Sequence, residues 1–354
     1  MLQELLASPL SPWQDGSGTE TDIVMNSRIR LARNLKGRKF PTRAEEADLK
    51  ESLAQAAASL PRLDALGHGG YEWARIDELN GLDRELLVEK QLISASHITE
   101  PLNRGVLLRE DGAVSLLVND EDYFRIQTAS AGLSLKKAWE EAAAVDDALE
   151  SSVNFAFSDE FGYFTANPAM VGTGLTAAVT LHLPALVMMK RISRIVQSIT
   201  QLGYTVHALY DDSPECLGSV FQIVNQVSLG VTETSIIEQL DKIAVSLTQE
   251  ERTCRSMLLS HQKNALKDRL CRTYGILSQA WLISRQEALA FVSDLRLAAD
   301  MGIIHVRPQV FEAVLVSIQP GFLQKDAGDS LLTEEAQDIL RAKVIRRILS
   351  AYII

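Results

Sequence analysis

The hydrophobic period changes along this chain, and the change limits what it can fold into. Between residues 104 and 228 the pattern is mostly that of strands, and from Thr232 onward it becomes helical. The clearest strand is Leu175–Leu183. Ala177, Val179, Leu181 and Leu183 fall on one side, and Thr176, Ala178, Thr180 and His182 on the other. A period of two means one face on a core. Gly105–Leu108 and Ala113–Val118 flank the turn-like Glu110-Asp-Gly112 and read as a hairpin. Tyr71–Ile76, Tyr123–Thr128, Val153–Phe157, Tyr163–Ala166, Tyr204–Tyr210 and Val220–Leu229 carry the same signature. Helical spacing marks Ala44–Leu60, Arg84–Ile93, Ser134–Leu149, a stretch near Ala185–Leu202, and Thr232–Leu270 with room for one break. Ser284-Arg-Gln-Glu287 is a capping box, and Thr333 followed by Glu334 and Glu335 opens a last helix. The expected fold is α+β: an antiparallel sheet flanked by helices, then an all-helical C-terminal domain from about residue 255. Residues 1–19, with the polar Gly/Ser stretch at 14–20, read as a flexible lead-in.

Composition narrows the class. A chain of 354 residues that is 46% hydrophobic and 23% charged buries a core without staples, and its three cysteines form no paired framework. That suits a reducing, cytoplasmic setting. No signal peptide is legible at the N-terminus, and the least polar segment, 175–189, is too short and polar to span a bilayer. The net charge of −11 argues against a protein that coats nucleic acid. The charge is uneven: residues 255–354 carry 13 basic against 10 acidic side chains, whereas the rest is strongly acidic.

Four clusters could carry chemistry. In Asn26-Ser-Arg-Ile-Arg30, Arg28 and Arg30 share one face of an extended segment; they are either a solvated basic stretch or two forks that hold phosphate. In Asn119-Asp-Glu-Asp-Tyr-Phe-Arg-Ile-Gln127, a strand would align Glu121, Tyr123, Arg125 and Gln127, giving either a surface ion pair or an acid beside a phosphate ligand. Thr165–Gly174 contains Asn167 and a Gly-Thr-Gly that is not a phosphate loop of the Gly-Lys-Ser/Thr kind. His207-Ala-Leu-Tyr-Asp-Asp212 is a strand end that delivers a carboxylate.

Taken together and in this order, the clusters resemble the phosphagen kinase family of ATP:guanidino phosphotransferases, and within it the bacterial protein-arginine kinases. The resemblance runs through 22–34, 87–94, 118–127, 171–175, 182–186 and 227–230. Only 25 residues precede Asn26, where small-molecule members carry a helical domain, and a helical extension follows residue 255 instead. The resemblance implies a phosphagen kinase/glutamine synthetase-like catalytic domain at 20–254. It also implies a C-terminal domain at 255–354 for dimerisation and phosphoarginine sensing.

The implied reaction moves the γ-phosphoryl of Mg2+-bound ATP to protein arginines, a reaction of positioning and charge stabilisation. On this resemblance Ser27, Arg28, Arg30 and Arg125 bind ATP, while Glu121 and Asp212 face the guanidinium. Thr176 and His207 occupy positions where the family has two further phosphate arginines. Asn167 replaces the family cysteine and Gln91 a histidine. Asp338 and Arg341 keep half of a phosphoarginine motif, with Gln337 in place of its first arginine. Lys190 and Arg194 are candidates to replace the missing cations. Implied partners are client proteins, a zinc-binding activator, the protein-quality-control protease machinery and a second copy of the chain. The substitutions also leave open a pseudokinase of the same fold, acting as an adaptor or phosphoarginine-binding scaffold.

Overall fold

The computed structural model describes residues 1–210, 216–328 and 332–353. Its strands are β1 (Val24–Arg33), β2 (Tyr71–Arg75), β3 (Gly105–Arg109), β4 (Val114–Val118), β5 (Phe124–Ala131), β6 (Phe157–Ser158), β7 (Gly162–Tyr163), β8 (Leu175–His182), β9 (Tyr204–Ala208) and β10 (Val220–Asn225). Eight of them form one antiparallel sheet in the order β2-β3-β4-β5-β1-β8-β10-β9, and β6 and β7 form a separate hairpin. The helices are α1 (Leu2–Ala7), α2 (Glu46–Asp64), α3 (Gly81–Glu89), α4 (Ala95–Thr99), α5 (Leu135–Glu150), α6 (Pro184–Met188), α7 (Ile192–Gln201), α8 (Glu233–Gln279), α9 (Arg285–Asp300), α10 (Val310–Ser317), α11 (Pro320–Ala327) and α12 (Glu334–Tyr352). The expected antiparallel sheet with helices and the helical C-terminal region are both present.

Alternation along the central strands sorts the sheet into two faces. Ile29, Leu31, Ile126, Ala177, Val179 and Leu181 are fully buried on the face that meets α5 and α8. The other face of β1 carries Asn26, Arg28 and Arg30. Beyond the sheet, α9, α10 and α12 enclose a second core around Val292, Phe311, Val314 and Ile345. The capping box at Ser284 and Glu287 opens α9, and Thr333 caps α12.

Several local expectations differ from the structure. Residues 1–19 do not form a loose lead-in. Leu2, Leu5 and Leu6 of α1 are buried beside Leu87, Val316 and Phe322, and Gly18 lies so close to β5 that a Cβ there would sit 1.9 Å from the Ala131 carbonyl oxygen. Only the short β6–β7 hairpin forms where two longer strands were expected. The stretch near 185–202 breaks into α6 and α7, with Lys190 between them at φ 56°. The break foreseen in the long helix is a single non-helical residue, Gln262, within the 47 residues of α8.

A buried ionic seam ties α8 to the sheet and to α9. Glu251 is fully buried; its carboxylate accepts the Ala185 and Leu186 N–H groups at the start of α6 and the Arg255 guanidinium at 2.9 Å. Arg255 continues to Asp300 at 3.4 Å, and Arg296 pairs with the same aspartate at 2.9 Å. Among the described residues no helix is long and apolar enough to cross a membrane.

Candidate active site

The polar face of the central strands opens into a cavity of about 220 Å3 whose lining includes Arg30, Glu121, Arg125, Asn167, Met170 and Thr176. Strand register brings three of these together. Thr176 on β8 stands directly across from Arg30, and Ala32, two residues along β1, pairs with Arg125 on β5. Arg30 has no hydrogen bond or ion pair with any described residue. Its ionisation is pushed down to about 10, first by burial and then by the nearby guanidiniums of Arg28 and Arg125. A half-buried cation repelled by two others is unfavourable unless an anion joins it.

Arg125 is held by an acid the motif does not advertise. Its Nη1 lies 2.7 Å from Asp120, and its Nη2 3.3 Å from Glu121. Asp120 is buried and accepts hydrogen bonds from Ser94 at 2.8 Å and Ser96 at 2.9 Å, with His97 Nδ1 at 3.8 Å. Burial alone would push the Asp120 carboxyl up, but His97 and Arg125 hold it well below the usual carboxylate range. Of the four residues Asn119–Asp122, three are buried anchors. Asn119 binds the Leu49 and Asn103 carbonyls, and Asp122 accepts from Asn34 and from the Ala166 N–H, both at 2.6 Å. Glu121 alone faces solvent, its side chain 57% exposed.

The route to this geometry is not the expected one. Glu121 sits in the turn before β5, so it reaches Arg125 from a loop and not by strand alternation, and Tyr123 turns into the core. Arg33, on the opposite face from Arg30, is a structural residue. It binds Asp146 through Nε and Nη2, donates to the Thr173 carbonyl, and stacks 3.6 Å over the Tyr163 ring.

The remaining candidates lie in several places. Arg28 lines an adjoining cleft, where its Nη1 donates to the Gln91 carbonyl at 3.2 Å, its Nε to Asn26, and its guanidinium stands 5.8 Å from the Trp13 ring. Burial lowers its ionisation, and Tyr210 offsets part of that effect. Asn167 accepts the Ala169 N–H and opens the short 168–170 turn. Thr176 donates to the Met170 sulfur at 3.2 Å.

Ser27 points to the opposite, buried face. It donates to the Gly132 carbonyl and accepts from the Ser134 N–H, so its hydroxyl is not presented to the cavity. His207 is exposed on the edge strand β9, two strands or about 10 Å beyond β8. Asp212 lies outside the described residues. The cations expected as replacements do not line the cavity: Arg194 faces a separate cleft between α7 and α8, and Lys190 is exposed between α6 and α7. In α12, Arg341 is buried, paired with Asp338 and bonded to the Ile283 carbonyl at 2.9 Å.

Known proteins match both the sequence and the fold of this chain. Residues 59–254 match the model of the ATP:guanido phosphotransferase C-terminal catalytic domain, and residues 263–352 that of the protein-arginine kinase McsB C-terminal domain. The chain is 42% identical over 346 residues to the protein-arginine kinase of Brevibacillus brevis, covering 97% of this chain and 96% of that protein. It is likewise 42% identical to the protein-arginine kinase of Symbiobacterium thermophilum, with 98% and 99% covered. Among solved structures, lombricine kinase superposes with a TM-score of 0.59 at 18% identity, covering 70% of this chain and 73% of that one. The duplicated taurocyamine kinase of Schistosoma mansoni, solved with bound transition-state analogue components, gives a TM-score of 0.58 at 22% identity over 70% of this chain and 35% of that one. The likeness to these two kinases concerns the fold. With a catalytic-domain model matching more than half of the chain and relatives at about 40% identity from end to end, the chain belongs to the protein-arginine kinase family of ATP:guanido phosphotransferases.

Proposed function

We propose that the protein transfers the γ-phosphoryl of ATP, delivered as its Mg2+ complex, to arginine side chains of proteins. The observation that carries this reading is Arg30: half-buried, without a partner among the described residues, pressed by Arg28 and Arg125, and facing the same cavity as the exposed Glu121. Arg30 and Arg125 hold phosphate oxygens as charge spreads over the transferred group, and Arg28 extends the cationic face toward the rest of the nucleotide. Magnesium would enter with the nucleotide, and Glu121, exposed and paired with Arg125 at 3.3 Å, would be the carboxylate nearest its water shell.

The acceptor arginine places its guanidinium against Glu121. A guanidinium nitrogen attacks the γ-phosphorus, the bond to the β-phosphate oxygen breaks, ADP leaves, and the nitrogen gives up a proton to the carboxylate. Asp212 is proposed as the second acid. Asn167, at the cavity wall, orients the acceptor and cannot act as a thiolate would. We assign this chemistry to residues 20–254, and dimerisation with phosphoarginine sensing to residues 255–354. A cytoplasmic setting, a zinc-binding activator and a link to protein-quality-control proteases belong to the same proposal.

A second reading, a pseudokinase that binds without transferring, has one observation in its favour. Thr176 offers a hydroxyl where it faces Arg30, and His207 stands at the sheet edge, so Arg30 and Arg125 are the cations lining the cavity among the described residues. Labelled ATP, the full chain and an arginine-rich unfolded protein separate the two. Acid-labile phosphoarginine supports the kinase. Nucleotide binding without label supports the second reading, and absence of both defeats the nucleotide site.

A further inference from the structure

Of the ten phenylalanines in the chain, four are exposed, and three of those lie in the eight residues 157–164: Phe157 at 51%, Phe161 at 44% and Phe164 at 38%. The hairpin that carries them is anchored from below. Tyr163 meets Phe157 edge-on at 5.0 Å and Phe155 at 6.3 Å, and its ring lies under the Arg33 guanidinium that Asp146 fixes. A second exposed apolar run, Val227, Leu229 and Val231, lies on the loop after β10. The two loops meet at Gly172. Its carbonyl accepts the Tyr163 N–H at 2.7 Å, its φ is +118°, and a Cβ there would sit 2.4 Å from the Ser228 carbonyl oxygen. Only glycine lets these backbones pass so close.

This surface is continuous with the cavity. One amide, Asn34 Nδ2, donates both to the Phe164 carbonyl at 3.0 Å and to Asp122 at 2.6 Å, and Asp122 lines the cavity next to Glu121. The hairpin tip adds two exposed acids, Asp159 and Glu160. Aromatic and aliphatic groups at the rim of a catalytic cavity mark a surface for a partner. The partner must present apolar side chains that folded proteins keep inside, together with positive charge.

We infer that the 157–164 hairpin and the 226–231 loop form a docking surface for the polypeptide flanking the target arginine: an extended, unfolded segment with apolar or aromatic neighbours beside the arginine. The inference rests on the reading of the cavity given above and adds to it a preference for the residues around the acceptor. The acids at the hairpin tip favour segments with further basic residues and oppose acidic ones.

The test uses the full chain with ADP and two fluorescent peptides of equal length, each with one arginine, flanked by leucine in one and glycine in the other. The expected result is that anisotropy reports about tenfold tighter binding of the leucine-flanked peptide, about 1.4 kcal/mol. The double variant Phe161→Ser, Leu229→Ser loses this preference while its ADP affinity and thermal unfolding stay unchanged. Equal binding of the two peptides overturns the inference, as does a double variant that keeps the preference. If the variant changes only the oligomeric state and leaves peptide preference intact, the surface belongs to a second copy and the inference fails. A preference shown by the unmodified chain and lost in the double variant, with no phosphoryl transfer to either peptide, supports the docking surface and counts against the kinase reading alone.

Discussion

Two groups of wholly or partly buried arginines lie in this molecule, and their charges are balanced differently. At the seam between α8, α9 and the sheet, Arg255 and Arg296 meet Glu251 and Asp300, two cations against two anions, each within 3.4 Å of a partner. At the cavity, Arg28, Arg30 and Arg125 crowd one face, and among the described residues only Arg125 has acidic partners, Asp120 and Glu121. Matched buried charge is a structural device, since its desolvation is offset internally. Surplus charge that is partly shielded from water is held in place by the surrounding fold and relieved by a ligand. The sheet can support the surplus because its other face is a continuous apolar core around Ile29, Leu31, Ile126 and Val179.

The largest effect should come from unbalancing the matched group. Glu251→Gln leaves Arg255 buried against a neutral amide and weakens the acceptor for the first turn of α6. Chemical denaturation should show a loss of about 3–5 kcal/mol. A loss under about 1 kcal/mol would mean that the seam is not a stability element. The same kind of change in the surplus group should act the other way. Arg30→Met should leave stability equal or higher but weaken ATP by about 1.5–3 kcal/mol in calorimetry, while Thr176→Arg, which adds a cation directly across from it, should tighten ATP and lower stability. If Arg30→Met destabilises the fold as Glu251→Gln does, the distinction between the groups collapses.

The smallest effect belongs to Asp120, which links the surplus group to the protein. Asp120→Asn leaves an acceptor for only one of the Ser94 and Ser96 hydroxyls, which bond different carboxylate oxygens, and should cost about 1 kcal/mol at neutral pH. The sign of its pH dependence follows from a carboxyl held below its ordinary value in the fold. The stability that Asp120 contributes is present above the unfolded carboxylate range, about pH 4, and is lost as pH falls through the lower folded value. The gap between wild type and Asp120→Asn should therefore be constant above about pH 5 and close on acidification. A gap that widens in acid would reverse the assignment.

Much of this architecture was legible in the sequence where local physics decides it. The strict alternation of Leu175–Leu183 sets the faces of β8, and the box at Ser284 starts α9 where it should. The cavity was legible mainly through the order of its motifs, because neither Arg30 nor Glu121 has a local pattern that separates a ligand-binding charge from a solvated one. What could not be read was the division of labour among neighbours. Arg33 and Arg30 differ only in which face of β1 they occupy, and Arg33 becomes structural because Asp146 waits 113 residues away. Asp120 and Glu121 are adjacent acids, yet Ser94, Ser96 and His97 bury one and leave the other exposed. Such assignments depend on partners brought in by the tertiary fold.

The length of α8 has a further consequence. Its 47 residues, bent at Gln262, run without a loop from the sheet into the terminal helices, and Glu251 and Arg255 lie one turn apart on it. A scission between residues 254 and 255 would not release two independent modules. It would sever one continuous element, leaving Glu251 in one half without its base and Arg255 in the other with Asp300 alone. Split halves of this chain should therefore seek each other out in solution, each carrying the missing counterpart of the other's exposed wound.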